Sequence, residues 1–237
     1  MTTDVTGILR ETILLRSALA EDLSAVAAAS RLRNFRRGQV VFSRDDPGDT
    51  VLVVVSGRVK VVIRSADGGE LTLTVIQAGG LFGELSVADN GPRSTDAKTL
   101  EECQLLLIPR EPVQDLCARV SSVAQALTSS VAAAVRRLTD QAGDLVFLDL
   151  PRRVAKVLLS QPSGADGLIR LRMSQEGLAH QVGGTRQRVN AALRSFERRG
   201  WLEVRDRTVI VKQAAAPGRF AGLEVSATRQ GTCRPGD

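Results

Sequence analysis

No tyrosine occurs in this chain of 237 residues, and histidine occurs once, at position 180. Side chains that titrate near neutral pH or ligate transition metals are therefore scarce, so neither metal binding nor acid–base catalysis is expected. His180, between Ala179 and Gln181 in a helical stretch, reads as a surface residue and not as a ligand. The three cysteines, Cys103, Cys117 and Cys233, are odd in number and widely spaced. They fit neither a disulfide framework nor a Cys-rich metal site, and free thiols are expected. No apolar run is long enough to span a bilayer, and the start Met1-Thr2-Thr3-Asp4 lacks the basic-then-apolar order of a secretory leader. A cytoplasmic protein without a membrane partner is predicted.

The net charge of +6 is unevenly placed. Residues 150–213 carry 13 Lys and Arg against five Asp and Glu, whereas residues 1–149 carry 16 against 19. The positive field thus belongs to one C-terminal segment, and no strongly apolar helix face accompanies it. Nucleic acid is the expected partner before a membrane surface.

In chain order, residues 8–30 have helical periodicity, with Ile8, Leu9, Ile13, Leu14, Leu15 and Leu19 followed by Asp22, Leu23 and Val26. From Val40 the pattern becomes strand-like: Val40–Phe42, Val51–Val55, then Val59, Val61 and Ile63, then Leu71, Leu73 and Val75, and later Cys103–Ile108. Asp46-Pro47-Gly48-Asp49, Ser56-Gly57 and Asp67-Gly68-Gly69 supply the reversals. Short strands with regular turns predict an antiparallel sandwich or jelly roll. Leu116, Val120, Val123, Leu127, Val131, Ala134, Leu138, Ala142 and Leu145 then step at a mean near the 3.6-residue helical period. That long stripe predicts a helix that packs on its own domain and on a second copy of the chain.

Asp149-Leu150-Pro151 ends this helix, since proline restricts the residue before it and cannot donate inside a helix. Beyond it, a helix from Arg153 stops at Pro162-Ser163-Gly164 and a short strand covers Leu168–Met173. Ser174 caps a helix through Gln181, Val182-Gly183-Gly184 turns, and Thr185 caps a second helix that ends at Gly200. This is a helix-turn-helix pattern. Val189, Ala192, Leu193 and Phe196 share one face of the second helix; Gln187, Asn190, Ala191, Arg194 and Arg198 share the other, with Arg186 and Arg188 near its start. Trp201–Val204 and Thr208–Val211, joined by Arg205-Asp206-Arg207, predict a wing whose tip reaches phosphates. From Gln213 onward, Ala-, Gly- and Pro-rich sequence without periodicity predicts a disordered tail.

The stretch Phe82-Gly83-Glu84-Leu85-Ser86, followed by Pro92-Arg93-Ser94, places two opposite charges nine residues apart across a turn-forming Asn90-Gly91-Pro92 segment. It reads either as a plain ion pair on a surface loop or as a pocket for a small anion. In the second reading Arg93 clamps a phosphate, Ser94 adds a hydroxyl donor, Glu84 accepts from a sugar hydroxyl, and backbone N–H groups turn inward around Gly83.

Residues 8–212 resemble the CRP/FNR family of bacterial transcription regulators. The specific points are this cassette, the run Asp144-Leu145-Val146-Phe147-Leu148-Asp149, and Val182-Gly183-Gly184-Thr185-Arg186-Gln187-Arg188-Val189-Asn190. The resemblance implies an α+β chain in four parts: a cyclic-nucleotide-binding jelly roll over 1–115, a dimerisation helix and hinge over 116–149, a winged helix-turn-helix over 150–213, and a tail over 214–237. It implies a ligand site of Gly83, Glu84, Leu85, Arg93 and Ser94 with Leu138 and Thr139 from the helix, in which Glu84 binds the ribose 2′-hydroxyl, and Arg93 and Ser94 bind the cyclic phosphate. It also implies a DNA-contacting set of Thr185, Arg186, Gln187, Arg188, Asn190 and Arg194, with Arg186 reading a guanine. The implied effector is cAMP, with no metal. The implied partners are double-stranded operator DNA, a second copy of the chain with recognition helices about 34 Å apart, and RNA polymerase. No catalysis is implied. Two other readings stand beside this one: a family member that binds DNA without nucleotide, and a regulatory nucleotide-binding subunit of an enzyme. The chain departs from the family at Leu138-Thr139, where cAMP-responsive members place Thr-Ser, at Thr95-Asp96, where they prefer small apolar residues, and in the recognition helix at Gln187 and Ala191.

Overall fold

The computed structural model describes residues 4–164, 166–205 and 208–222. The chain divides into two compact units, Met1–Gln141 and Ala142–Asp237.

The first unit begins with α1 (Val5–Glu11) and α2 (Ala20–Ala29), within and just ahead of the stretch 8–30 where helical periodicity was expected, and the chain is not helical throughout it. The interruption has a local cause. Thr12 is fully buried, its hydroxyl donates to the Leu9 carbonyl at 2.7 Å and accepts from the Leu15 N–H at 3.3 Å, and the chain turns there.

Eight strands follow: β1 (Arg31–Phe35), β2 (Val40–Phe42), β3 (Thr50–Ser56), β4 (Arg58–Arg64), β5 (Glu70–Gln77), β6 (Leu81–Phe82), β7 (Asp96–Thr99) and β8 (Cys103–Pro109). They form two four-stranded antiparallel sheets, in the orders β1-β8-β3-β6 and β2-β7-β4-β5. The sandwich is therefore present as expected. Strand β1 was not anticipated, because as an edge strand it exposes Arg31, Arg33 and Asn34 and shows no apolar alternation.

Alternation along β3 and β8 explains why those strands read as continuous apolar runs. Leu52, Val54 and Leu105 point between the sheets with Phe35, Val59 and Phe82, while Val51, Val53, Leu106 and Ile108 point the other way. That outer face is covered by Leu9, Leu14, Leu15, Leu23 and Val26, and by Val113, Leu116 and Val123 from α4 (Arg110–Arg119) and α5 (Ser121–Phe147). A sheet buried on both faces needs apolar side chains at every position.

The stripe from Leu116 is not one helix. Val120 has extended backbone and donates its N–H to the Leu116 carbonyl at 2.8 Å, so Leu116 belongs to α4, which ends at Arg119, and the long helix starts at Ser121. A short helix, α3 (Leu85–Asp89), lies between β6 and β7.

In the second unit, Asp149 caps α6 (Leu150–Leu159), accepting the Arg152 N–H at 3.0 Å, and Pro151 sits in its first turn, where no intrahelical N–H is needed. Then come β9 (Ile169–Arg172), α7 (Gln175–Val182), α8 (Arg186–Arg198), β10 (Leu202–Arg205) and β11 (Thr208–Val211). The wing is a three-stranded sheet in the order β10-β11-β9. Two residues of its expected tip, Asp206 and Arg207, lie outside the described residues.

The expectation of a disordered tail from Gln213 is corrected by α9 (Ala215–Ala221); the residues after 222 lie outside the described ones. The Phe220 ring of α9 sits edge-on to Phe196 at 5.7 Å and tilted against Trp201 at 5.6 Å, and Ala221 is buried. Seven residues are too few to show a helical period, so it is packing, through this aromatic cluster and the buried Pro217, Gly218 and Ala221, that gives the segment its reason to fold. Phe220→Ala is expected to lower the stability of this unit by about 1–3 kcal/mol, as for removal of a largely buried aromatic ring. Urea unfolding followed by Trp201 fluorescence checks it, and an unchanged midpoint would mean that α9 contributes nothing to packing.

Candidate ligand cleft and nucleic-acid interface

In the first unit the turn from β6 into α3 brings the cassette together. Gly83 takes φ +80°, and a Cβ there would stand 2.5 Å from Arg93 Nη1. Glycine is thus required both by the backbone and by the space. At the far end of α3, Asn90 takes φ +59° and Asp89 accepts the Gly91 N–H at 2.8 Å, which turns the chain towards Arg93.

Arg93 is 3% exposed. Its Nη1 donates to the Gly83 carbonyl at 3.0 Å, and its Nη2 donates to the carbonyl and the hydroxyl of Thr50 at 2.7 and 2.8 Å. The guanidinium lies 4.4 Å from the centre of the Phe42 ring. Its Nε is buried and has no acceptor. No carboxylate forms an ion pair with it among the described residues. Burial pushes its pKa down, opposed by the charges of Asp49, Asp46 and Glu84, but an arginine stays protonated regardless. The plain ion pair between Glu84 and Arg93 is therefore not what the structure holds. Glu84 is itself buried and accepts a long hydrogen bond from Ser130 of α5 at 3.4 Å.

These groups line one cleft of about 120 Å³. Gly83, Glu84, Leu85, Arg93 and Ser94 are among its residues, as is Leu138; Thr139 is not. Thr139 is exposed and its hydroxyl donates to the Val135 carbonyl one turn back, at 3.0 Å. Asp96 is also turned away, accepting from the Arg44 N–H at 2.8 Å and pairing with Arg64 at 3.5 Å. The remaining walls are apolar, from Val61, Leu73 and Ile76, and polar where α5 presents Arg137 and Gln141. Sequence reasoning missed these last two and Ser130. Their spacing from Ala134 and Leu138 on one helix could have found them, whereas the strand residues depend on sheet register. The cleft is smaller than the 300–1,000 Å³ typical of small-molecule sites and is open to solvent on one side.

In the second unit, Ser174 caps α7 by accepting the Gly177 N–H at 3.0 Å, and Gly183 at φ +61° ends it. A Cβ on Gly184 would stand 2.4 Å from Leu150, so this turn packs directly on α6. Thr185 then caps α8, accepting the Arg188 N–H. Arg153, which sequence reasoning passed over, fixes the turn by donating to the carbonyls of Val182 and Leu148, both at 2.8 Å.

Val189, Ala192, Leu193 and Phe196 are buried, leaving Thr185, Arg186, Gln187, Arg188 and Arg194 exposed and Asn190 half-buried. No ion pair is formed by Arg186, Arg188 or Arg194 among the described residues. An exposed helix carrying unpaired arginines is the element that a major groove admits.

A β-sandwich with a cleft built on a buried arginine, in one chain with a winged helix-turn-helix, defines the class of DNA-binding proteins that carry a ligand-binding domain. Residues 32–120 match the family described as cyclic nucleotide-binding domain, and residues 152–216 the Crp-like helix-turn-helix domain. The chain is 34% identical over 220 residues to the CRP-like cAMP-activated global transcriptional regulator of Mycobacterium tuberculosis, a match covering 88% of this chain and 98% of that one. It is 30% identical over 203 residues to the Cyclic AMP receptor protein of Thermus thermophilus, covering 85% and 93%. Among solved structures, the c-di-GMP responsive global regulator CLP of Xanthomonas campestris superposes with a TM-score of 0.72 at 25% identity, over 81% of this chain and 99% of that one. This chain belongs to the CRP/FNR family of DNA-binding transcription regulators.

Two glycines separate backbone strain from crowding at Arg93. Gly68, at φ +87°, has nothing within 4 Å of a built Cβ, whereas Gly83 meets the guanidinium. Gly68→Ala should cost about 1–2 kcal/mol, the penalty of a left-handed L-residue, and Gly83→Ala distinctly more. Equal losses in chemical unfolding would show that Arg93 is not held where it is described.

Proposed function

We propose that the chain works as a homodimeric transcription regulator in the cytoplasm, binding operator DNA through α8 and responding to cAMP in the cleft of its first unit. The observation that carries the ligand part is the buried, unpaired guanidinium of Arg93. A buried cation that no carboxylate pairs within ion-pair distance is costly, and the cyclic phosphate is the anion that completes its pairing, with the orphaned Nε as a donor to it. Ser94, exposed on the cleft, offers a hydroxyl to the same phosphate, and Glu84 offers an acceptor to the ribose 2′-hydroxyl. One buried arginine suits one phosphodiester.

The cAMP-activated relative supports this choice of effector. A cyclic dinucleotide is the second reading. It draws on the exposed guanidinium of Arg137 at the cleft, which is available for a second phosphate, and on the c-di-GMP responsive structural neighbour.

For the DNA part, Arg186 reads a guanine with its two-pronged guanidinium, while Thr185, Gln187, Arg188, Asn190 and Arg194 contact neighbouring bases and phosphates. Assembly rests on the C-terminal half of α5, where Val135, Leu138, Leu145, Val146 and Phe147 leave large apolar surfaces in water. A second copy of α5 would cover them, and the paired recognition helices would then meet a two-fold operator. RNA polymerase is the expected further partner of such a regulator.

Calorimetry with cAMP and with c-di-GMP tests the ligand part. The parent should bind cAMP, and Arg93→Ala should lose about tenfold or more, as expected when a charge-assisted hydrogen bond of about 1.5–3 kcal/mol is removed. Undiminished cAMP binding by Arg93→Ala would sink the assignment, and binding of c-di-GMP alone would favour the second reading. On the DNA side, Arg186→Ala should weaken operator binding by about 1–3 kcal/mol and relax preference at a single base pair, read by titrating operator variants. A uniform loss across all sequences would instead make Arg186 a phosphate contact.

A further inference from the structure

We infer that Gln141 is the residue that reads the nucleotide's base, its Oε1 accepting a hydrogen bond from the 6-amino group of adenine. The inference rests on the cyclic-nucleotide reading of the cleft and adds to it the group that selects the base.

Gln141 lies on α5 one turn beyond Leu138, and both line the cleft. Its Nε2 donates to the Leu73 carbonyl of β5 at 2.7 Å. Only the amide nitrogen can donate to a carbonyl, so this bond fixes which way the amide faces. Its oxygen is then committed to the other direction, where it is buried and receives no donor. Native proteins seldom leave a buried acceptor in that state unless something outside the chain completes it.

The chemistry of the completing group follows from the surroundings. The lining that the cleft shares with Gln141 includes Val61, Leu73, Ile76 and Leu138, apolar surface suited to a flat ring, beside the polar Thr74 and Arg137, and none of its side chains donates to Gln141 Oε1. Leu138 contributes surface but no polar contact, and the hydroxyl of Thr139 is engaged with Val135 outside the cleft. The missing partner is therefore an N–H on an apolar ring. Arg93 is anchored on Thr50 and Gly83, whereas Gln141 is anchored on β5, so phosphate and base are held by different walls of the site. Adenine presents an N–H donor at position 6. Guanine presents a carbonyl oxygen there, which would set acceptor against acceptor. A site with an orphaned acceptor excludes the wrong base through the cost of leaving that group unpaired.

The test compares cAMP with the cyclic 3′,5′-monophosphate of purine riboside, which lacks only the 6-amino group, by calorimetry on the full chain and on Gln141→Met. The parent should prefer cAMP by roughly tenfold, the order set by one buried hydrogen bond. In Gln141→Met the two nucleotides should bind alike, close to the parent's affinity for the analogue, because Arg93 and the apolar wall remain. Equal binding of the two by the parent, or a preference that survives Gln141→Met, would overturn the role of Gln141 while leaving the cleft a nucleotide site. A parent that binds neither nucleotide would overturn the cyclic-nucleotide reading and this inference with it. Because the comparison on the parent needs no variant, loss of folding in Gln141→Met would not protect the inference.

Discussion

The burial of one positive charge organises the first unit. Arg93 reaches its place because Gly83 leaves room at 2.5 Å, Thr50 turns both its carbonyl and its hydroxyl towards it, and Phe42 offers a ring face. These partners come from two strands and a turn, so the cassette, β2 and β3 hold a single geometry through one side chain. They satisfy hydrogen bonds but supply no negative charge. The protein thus folds around a cation that no carboxylate pairs within ion-pair distance, the charges of Asp49, Asp46 and Glu84 acting on it only from further off, and that is what suits the cleft to an anion.

The same economy appears in the sheets and helices. Strand β3 sends Leu52 and Val54 between the sheets and Val51 and Val53 under the helices, so the strand that carries Thr50 is locked from both sides. Helix α5 is used along its length for different purposes. Val123 is buried in the helical layer, Ser130 touches Glu84, Leu138 and Gln141 wall the cleft, and Leu145 to Phe147 stand in water. A ligand in the cleft would therefore touch the helix whose exposed face is the proposed dimer contact. If cAMP favours one arrangement of paired α5 helices, the coupling to DNA binding is reciprocal and its size is limited by the ligand's differential contacts.

In the second unit the recognition helix is held from behind. Val189, Leu193 and Phe196 enter the core, Gly184 packs on Leu150, and Arg153 ties the turn to the residues before α6. The exposed arginines then need only their charge and reach. Trp201, Phe196 and Phe220 close the core beneath the wing, which makes α9 part of the DNA-binding unit.

What the residues determined by themselves was everything that depends on short-range pattern. The β periods, the capping residues Ser174 and Thr185, the two faces of α8, the charge asymmetry and the cassette spacing are all written in consecutive side chains. The break at Val120, the edge strand β1 and the helix α9 were not legible, since each is decided by what packs against it: α4 on the sheet, β8 beside β1, and Phe196 and Trp201 against Phe220. The site divides along the same line. Gly83, Glu84 and Arg93 could be named because they lie within eleven residues, but whether the two charges paired with each other was a question of three-dimensional placement. Thr139 and Gln141, two residues apart on one helix, show this most directly: the sequence favoured the first as a ligand contact, while the 100° turn per residue and the carbonyl of Leu73 put the second in the cleft and left the first outside.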